Sequence, residues 1–145
     1  MKGIKPLFSS HSEEWSTPDD LFEWLDFIFQ FTLDPCATPS NAKCEKFFTQ
    51  QDDGLAQSWA GHRVFCNPPY GRRIGAWVAK AALEAATGDA LVAMLLPSRT
   101  DTKWFQKYCV GRVVIFLEGR LKFGGSENSA PFPSIVVLFL PMRKR

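Results

Sequence analysis

Behind Thr17-Pro18-Asp19-Asp20, apolar residues recur at helical spacing: Leu21, Leu25 and Ile28 share one face, with Phe22, Trp24 and Phe29 beside them. Thr17 reads as the N-cap, Pro18 as the first helical residue and the acidic pair as first-turn charges, which predicts a helix ending near Gln30. Residues 31–33 form a short β-prone run that stops at Asp34-Pro35. Between 36 and 61 the pattern is weak; it predicts one or two helical turns over 41–46 and a short strand at Phe47-Phe48. Arg63-Val64-Phe65-Cys66 reads as a buried strand. Residues 74–87 are alanine-rich and helical, with Gly88 as the stop. A continuous apolar strand follows over 90–96 and Pro97 closes it, then a short helix over 102–109. The runs 113–117 and 135–140 are strongly β-prone, and about fifteen residues separate them, too many for a tight hairpin.

Strands alternating with helices predict an α/β fold with a mostly parallel sheet, closed at its end by an antiparallel strand. In such sheets ligands bind beyond the carboxyl ends of the strands. Asp34 and Asn67 both fall at such ends.

Length and composition narrow this further. The 145 residues are expected to form one domain, 1–145, with no room for a second of ordinary size. No apolar run approaches the ~20 residues of a membrane span, and no signal-peptide pattern opens the chain, so a soluble, cytoplasmic protein is expected. Cys36, Cys44, Cys66 and Cys109 lack paired ligand spacing, and His11 and His62 do not complete a metal set. Four reduced thiols and no metal are expected. Charge is uneven: residues 1–60 carry four basic against ten acidic side chains, and residues 61–145 carry thirteen against five. The basic half suits a polyanion and the acidic half a small cationic or hydroxyl-rich ligand.

The chemistry concentrates in Asn67-Pro68-Pro69-Tyr70. Two prolines directly after a strand hold a rigid bend whose carbonyls point away from any ladder. The Asn in front offers a side-chain acceptor, and the Tyr behind offers a flat aromatic face.

This tetrapeptide resembles the catalytic motif of methyltransferases that act on the amine of DNA adenine, and the order of the surrounding segments resembles the phage and prophage DNA N-6-adenine methyltransferase family. Trp15-Ser16-Thr17-Pro18 looks like its methionine-contacting segment, Leu33-Asp34-Pro35-Cys36-Ala37 like its first cofactor motif, and Asp53-Gly54-Leu55 like its acidic motif at the cofactor's adenine. Gly119-Arg120-Leu121-Lys122-Phe123-Gly124-Gly125 and Ser129-Ala130-Pro131-Phe132-Pro133-Ser134 look like its late segment. The resemblance implies a trimmed Rossmann-like fold dependent on S-adenosylmethionine, with Asn67, Pro68, Pro69 and Tyr70 catalytic. It implies cofactor contacts from Trp15, Thr17, Pro18, Asp34, Pro35, Cys36, Ala37, Asp53 and Asn67. The substrate would be a flipped adenine in double-stranded DNA, stacked on Tyr70 with Phe132, or second Phe123, as the other wall. Arg72, Arg73, Arg99, Lys103, Arg120 and Lys122 are candidate phosphate contacts. A bacterial cytoplasm and a phage or prophage origin follow from the same resemblance.

Two departures stand out. Cys36-Ala37-Thr38-Pro39-Ser40-Asn41 has no glycine where the first cofactor motif usually turns, and Asp34 and Asn67 are only 33 positions apart. A sheet short of one edge strand is therefore expected, and Glu45, Asp52 and Asp53 are the acidic candidates for the cofactor, Asp53 foremost at its adenine end. Competing readings are methylation of a protein glutamine amide, methylation of the cytosine amine, and a catalytically silent DNA-binding module. The intact Asn67 and Tyr70 argue against silence. The sequence carries no statement of recognition site or oligomeric state.

Overall fold

The computed structural model describes residues 15–142. Helix α1 spans Asp19–Phe29, strand β1 Arg63–Cys66, helix α2 Ile74–Thr87, strand β2 Leu91–Pro97, strand β3 Val113–Phe116 and strand β4 Ser134–Phe139. A 3₁₀ turn covers Gly54–Ala56, and a wide π-type turn covers Phe105–Cys109 at the end of the short helix expected over 102–109.

The four strands form one sheet in the order β1-β2-β4-β3. β1 and β2 pair in parallel, with Cys66 opposite Met94. β4 lies antiparallel between β2 and β3, with Pro97 opposite Ser134 and Phe116 opposite Ile135. Two of the three pairings are thus antiparallel, although β1, β2 and β3 all point one way. Beyond β1 the sheet thins to single parallel bridges, Leu33 to Val64 and Asp34 to Phe47. The β-prone run over 31–33 therefore contributes bridge contacts and no full strand.

β4 is buried along its whole length and β2 beyond Leu91, as expected of apolar strands covered on both faces. Each fully buried Val, Leu or Ile there contributes roughly 1.5–3 kcal/mol relative to exposure. α2 packs on β2 and β4 through Trp77, Val78, Ala81 and Ala85. α1 reaches β1 through Phe22, whose ring meets Phe65 edge-on at 5.2 Å. Among its residues only Leu25 is fully buried, and Phe27 is 85% exposed.

The structure departs from the local pattern in two places. Thr17 does not cap α1: Pro18 holds the cap position, no side chain caps the helix, and Thr17 faces another segment. Residues 41–46 form turns and bends instead of helix, because the Asp34 carboxylate and the Thr38–Asn41 contacts take up their backbone groups. One glycine is required by packing. A Cβ on Gly54 would sit 2.0 Å from the Pro35 carbonyl oxygen, so only glycine lets these two loops touch.

Candidate active site

β1 ends in Asn67-Pro68-Pro69-Tyr70, and β2 ends beside it in Pro97-Ser98-Arg99. The start of β4 reaches the same edge, where the Ser98 N–H donates to the Pro133 carbonyl at 2.8 Å. The long 117–133 loop folds back over this corner, held by Ala130 N–H to Leu121 O (2.7 Å) and Gly124 N–H to Ser16 O (2.8 Å). Residues 15–17 are thereby sandwiched between the loop and the motif.

Asn67 is the centre of the arrangement. Its Nδ2 donates to the Trp15 carbonyl and, at 3.0 Å, to the Thr17 hydroxyl oxygen. Its Oδ1 is buried and accepts no hydrogen bond among the described residues. A buried acceptor left unmatched costs about 1–3 kcal/mol. Native structures hold few such atoms, and each calls for an explanation such as a catalytic role or a bound ion; here Trp77 Nε1 and Ser134 Oγ are the others among the described residues. The Pro68 carbonyl likewise receives no hydrogen bond among the described residues.

Aromatic rings close the space around these acceptors. Trp15 lies 5.2 Å from Phe123 and 5.4 Å from Phe132, and Tyr70 lies 6.2 Å and 5.7 Å from the same two rings. Arg99 sits over Phe132 with its guanidinium 5.8 Å from the ring centre. The Tyr70 hydroxyl donates to the Leu95 carbonyl at 2.9 Å, and burial holds its pKa well above the usual phenol range. The phenol therefore stays protonated and serves as a wall and an anchor. Burial also raises the thiols of Cys44, to about 12, of Cys109, to about 11, and of Cys66, so none of the three offers a thiolate at neutral pH. What this edge does offer is neutral oxygen acceptors beside aromatic surface.

Asp34 lies one bridge away, at the end of its sheet piece, 4% exposed. Its Oδ1 accepts from Cys36 N–H at 3.3 Å and its Oδ2 from Lys43 N–H at 3.0 Å. Desolvation lifts its pKa to about 6, against the pull of those two amides and the Lys43 charge. The carboxylate thus shapes the glycine-free 34–43 loop, which explains how that loop turns without glycine. Pro35 abuts Gly54, and Asp53 beside it adopts a left-handed backbone at φ 57°, so the segments Asp34–Ala37 and Asp53–Leu55 adjoin.

Of the candidates named from sequence, the fold brings Trp15, Thr17, Asn67, Tyr70, Phe123, Phe132 and Arg99 to one corner. Pro18 starts α1 next to them, and Pro68 and Pro69 form the bend. Arg72, Arg73, Lys103, Arg120 and Lys122 are exposed, and none makes an ion pair among the described residues. Glu45 and Asp52 stand apart; Asp52 caps its own turn through Thr49. Trp59 is a core residue, its indole N–H donating to Gly54 O at 2.9 Å. Sequence reasoning missed the Leu95 carbonyl and gave Ser16, inside its named segment, no contact of its own, because backbone acceptors leave no side-chain signature. Among the described residues no His/Cys/Asp/Glu group could hold a metal. A surface depression of about 360 Å³ opens at Phe31, Thr32, Glu45 and Lys46, the opposite ends of those sheet pieces from the motif.

Residues 6–144 match the family described as DNA N-6-adenine-methyltransferase (Dam). The chain belongs to that family. It is 34% identical over 93 residues to the DNA N-6-adenine-methyltransferase of Escherichia phage T1, a match covering 63% of this chain and 38% of the phage protein. It is 35% identical over 65 residues to the putative methyltransferase YfdM of Escherichia coli strain K12, covering 40% of this chain and 71% of that protein. The chain therefore spans little more than a third of its phage T1 relative. Among the described residues no helix is long and apolar enough to cross a membrane.

Proposed function

We propose that the chain transfers a methyl group from S-adenosylmethionine to the exocyclic N6 amine of an adenine flipped out of double-stranded DNA. The observation that carries this reading is the buried, unmatched Asn67 Oδ1 at the end of β1. When bound, S-adenosylmethionine supplies an activated, positively charged methyl donor.

The adenine amine is a poor nucleophile because its lone pair is delocalised into the ring. Asn67 Oδ1 and the Pro68 carbonyl accept its two hydrogens, which favours a pyramidal nitrogen and offsets the positive charge as it develops. Fixed dipoles aimed at developing charge are commonly the largest catalytic contribution. The amine sheds a proton after attack, so no strong base is required, in keeping with a Tyr70 phenol that stays protonated. A base inside the duplex cannot reach these acceptors, hence the flipping. The Tyr70, Phe123 and Phe132 rings touch one another in the free chain, so the base enters by parting them, with Phe132 the half-buried one. Stacking on such rings is worth about 1–3 kcal/mol per base.

Residues near the corner fit the cofactor. Trp15 and Pro18 would border its methionine end, while the Thr17 hydroxyl is taken by Asn67 Nδ2. The buried Asp34 carboxylate, with Pro35, Cys36 and Ala37, lies one bridge from the motif strand, and Asp53 beside Gly54 suits the adenine end. The exposed Arg72, Arg73, Arg99, Lys103, Arg120 and Lys122 flank the corner in sequence and would carry the phosphates. The architecture is read as a trimmed Rossmann-like methyltransferase domain, acting in the cytoplasm of a bacterial host such as the one its phage relative infects.

The test is transfer of labelled methyl from S-adenosylmethionine to plasmid DNA, with modified bases mapped by sequencing. Label in N6-methyladenine is expected. Label in protein glutamine amide, or in cytosine, would overturn the substrate assignment, and cofactor binding with no transfer would leave a silent module.

A further inference from the structure

An asparagine amide is useful as an acceptor only if its oxygen faces the substrate, and the two ends of the amide are nearly the same shape. In this chain the orientation is decided by chemistry. The Trp15 carbonyl carries no proton, so the Asn67 atom bonded to it must be the Nδ2 donor, and Oδ1 must face the other way. Thr17 Oγ1 accepts from the same Nδ2 at 3.0 Å. Thr17 itself is buried, and it spends no bond on capping α1. Ser16, between these two partners, accepts from the Gly124 N–H at 2.8 Å. A single three-residue segment therefore holds the motif amide on one side and the late loop on the other.

We propose that Thr17 is a positioning residue, whose hydroxyl acts with the Trp15 carbonyl to hold the Asn67 amide with Oδ1 toward the substrate amine, and that the Gly124–Ser16 bond ties this hold to the docking of the 117–133 loop. The proposal rests on the adenine-methylation reading for its kinetic consequence, and on hydrogen bonding alone for its structural one. With Thr17 lost, Nδ2 keeps one partner, the amide swings, and Oδ1 leaves the line of the substrate. A loop lifted by a poor DNA sequence would loosen residues 15–17 and the amide together, so recognition and turnover are linked through one segment.

Thr17→Val keeps the side-chain shape and removes the hydroxyl; Thr17→Ser restores it. Exchange of the Asn67 Nδ2 protons, followed by NMR, should quicken about threefold to tenfold in Thr17→Val, the loss of one neutral hydrogen bond, and return toward the parent rate in Thr17→Ser. Turnover at saturating DNA and cofactor should fall about 10- to 100-fold in Thr17→Val, with cofactor Kd within a few-fold, and recover in Thr17→Ser. Gly124→Ala, whose methyl would sit 3.3 Å from Ser16 Cβ, should quicken the same exchange. Unchanged Asn67 exchange in Thr17→Val overturns the hold, and unchanged exchange in Gly124→Ala removes the loop from it. A Thr17→Val chain that loses cofactor affinity while keeping its turnover at saturation makes Thr17 a cofactor contact instead. If the parent chain methylates no DNA, the reaction assignment fails, and the exchange measurement still decides the hold.

Discussion

Replacing Asn67 by Ala separates a structural residue from a working one. The substitution removes two hydrogen bonds from Nδ2, to the Trp15 carbonyl and to Thr17, each worth about 0.5–1.5 kcal/mol net. It also removes Oδ1, a buried acceptor whose unmatched state costs about 1–3 kcal/mol. These terms oppose each other and are of similar size, so urea unfolding should place Asn67→Ala within about 1 kcal/mol of the parent. Activity has no such cancellation. Losing one of two acceptors aimed at the developing charge should lower single-turnover methyl transfer about 100- to 1,000-fold, the size seen when one oxyanion-hole donor is removed. Cofactor affinity should change only a few-fold. A variant destabilised by about 3 kcal/mol or more, twice the worth of a single net hydrogen bond, yet transferring methyl at near the parental rate, would refute the reasoning: Asn67 would then be a fold residue whose oxygen meets no substrate.

Other outcomes follow from the same geometry. Gly54→Ala places a methyl against the Pro35 carbonyl, so thermal unfolding should show a loss of roughly 2–4 kcal/mol and calorimetry a weaker cofactor; a parental Tm would mean the two loops do not touch. Asp34 has its pKa raised to about 6, against about 3.9 unfolded, so its stabilising contribution is fully present below about pH 4 and is lost as pH rises through 6. Compared with an Asp34→Asn chain by urea unfolding, the parent should therefore lose on the order of 3 kcal/mol of stability between about pH 4 and pH 7, and parallel profiles for the two chains would contradict a buried, desolvated carboxylate. Double replacement Arg72→Ala and Arg73→Ala should weaken DNA binding and reduce the slope of log affinity against log salt by about 0.9 for each phosphate that is no longer neutralised; an unaltered slope would assign these exposed arginines to solvent.

Local chemistry made much of the scaffold legible. The alanine-rich run became α2 over Ile74–Thr87, and the short apolar run ahead of the prolines became β1 over Arg63–Cys66. Both depend on propensity and punctuation within a few residues. Between Asp34 and Gly61 periodicity gives no guide, because that stretch is organised by a buried carboxylate and by the close approach of a carbonyl to a glycine. Thr17 departs from its local pattern for a related reason. A threonine before Pro-Asp-Asp is a good cap on local grounds, and a partner 50 residues away claims its hydroxyl instead.

By itself the sequence determined which residue types stand at the strand ends: an acceptor amide before two rigid prolines, an aspartate before a proline, and aromatic residues in the late loop. Proline geometry and side-chain chemistry are properties of the residues and survive any fold. Which face of the Asn67 amide is free, which aromatic rings meet, and which loops touch at Gly54 were decided by tertiary structure alone. These depend on contacts between segments far apart in the chain, and no local pattern records where such partners will lie.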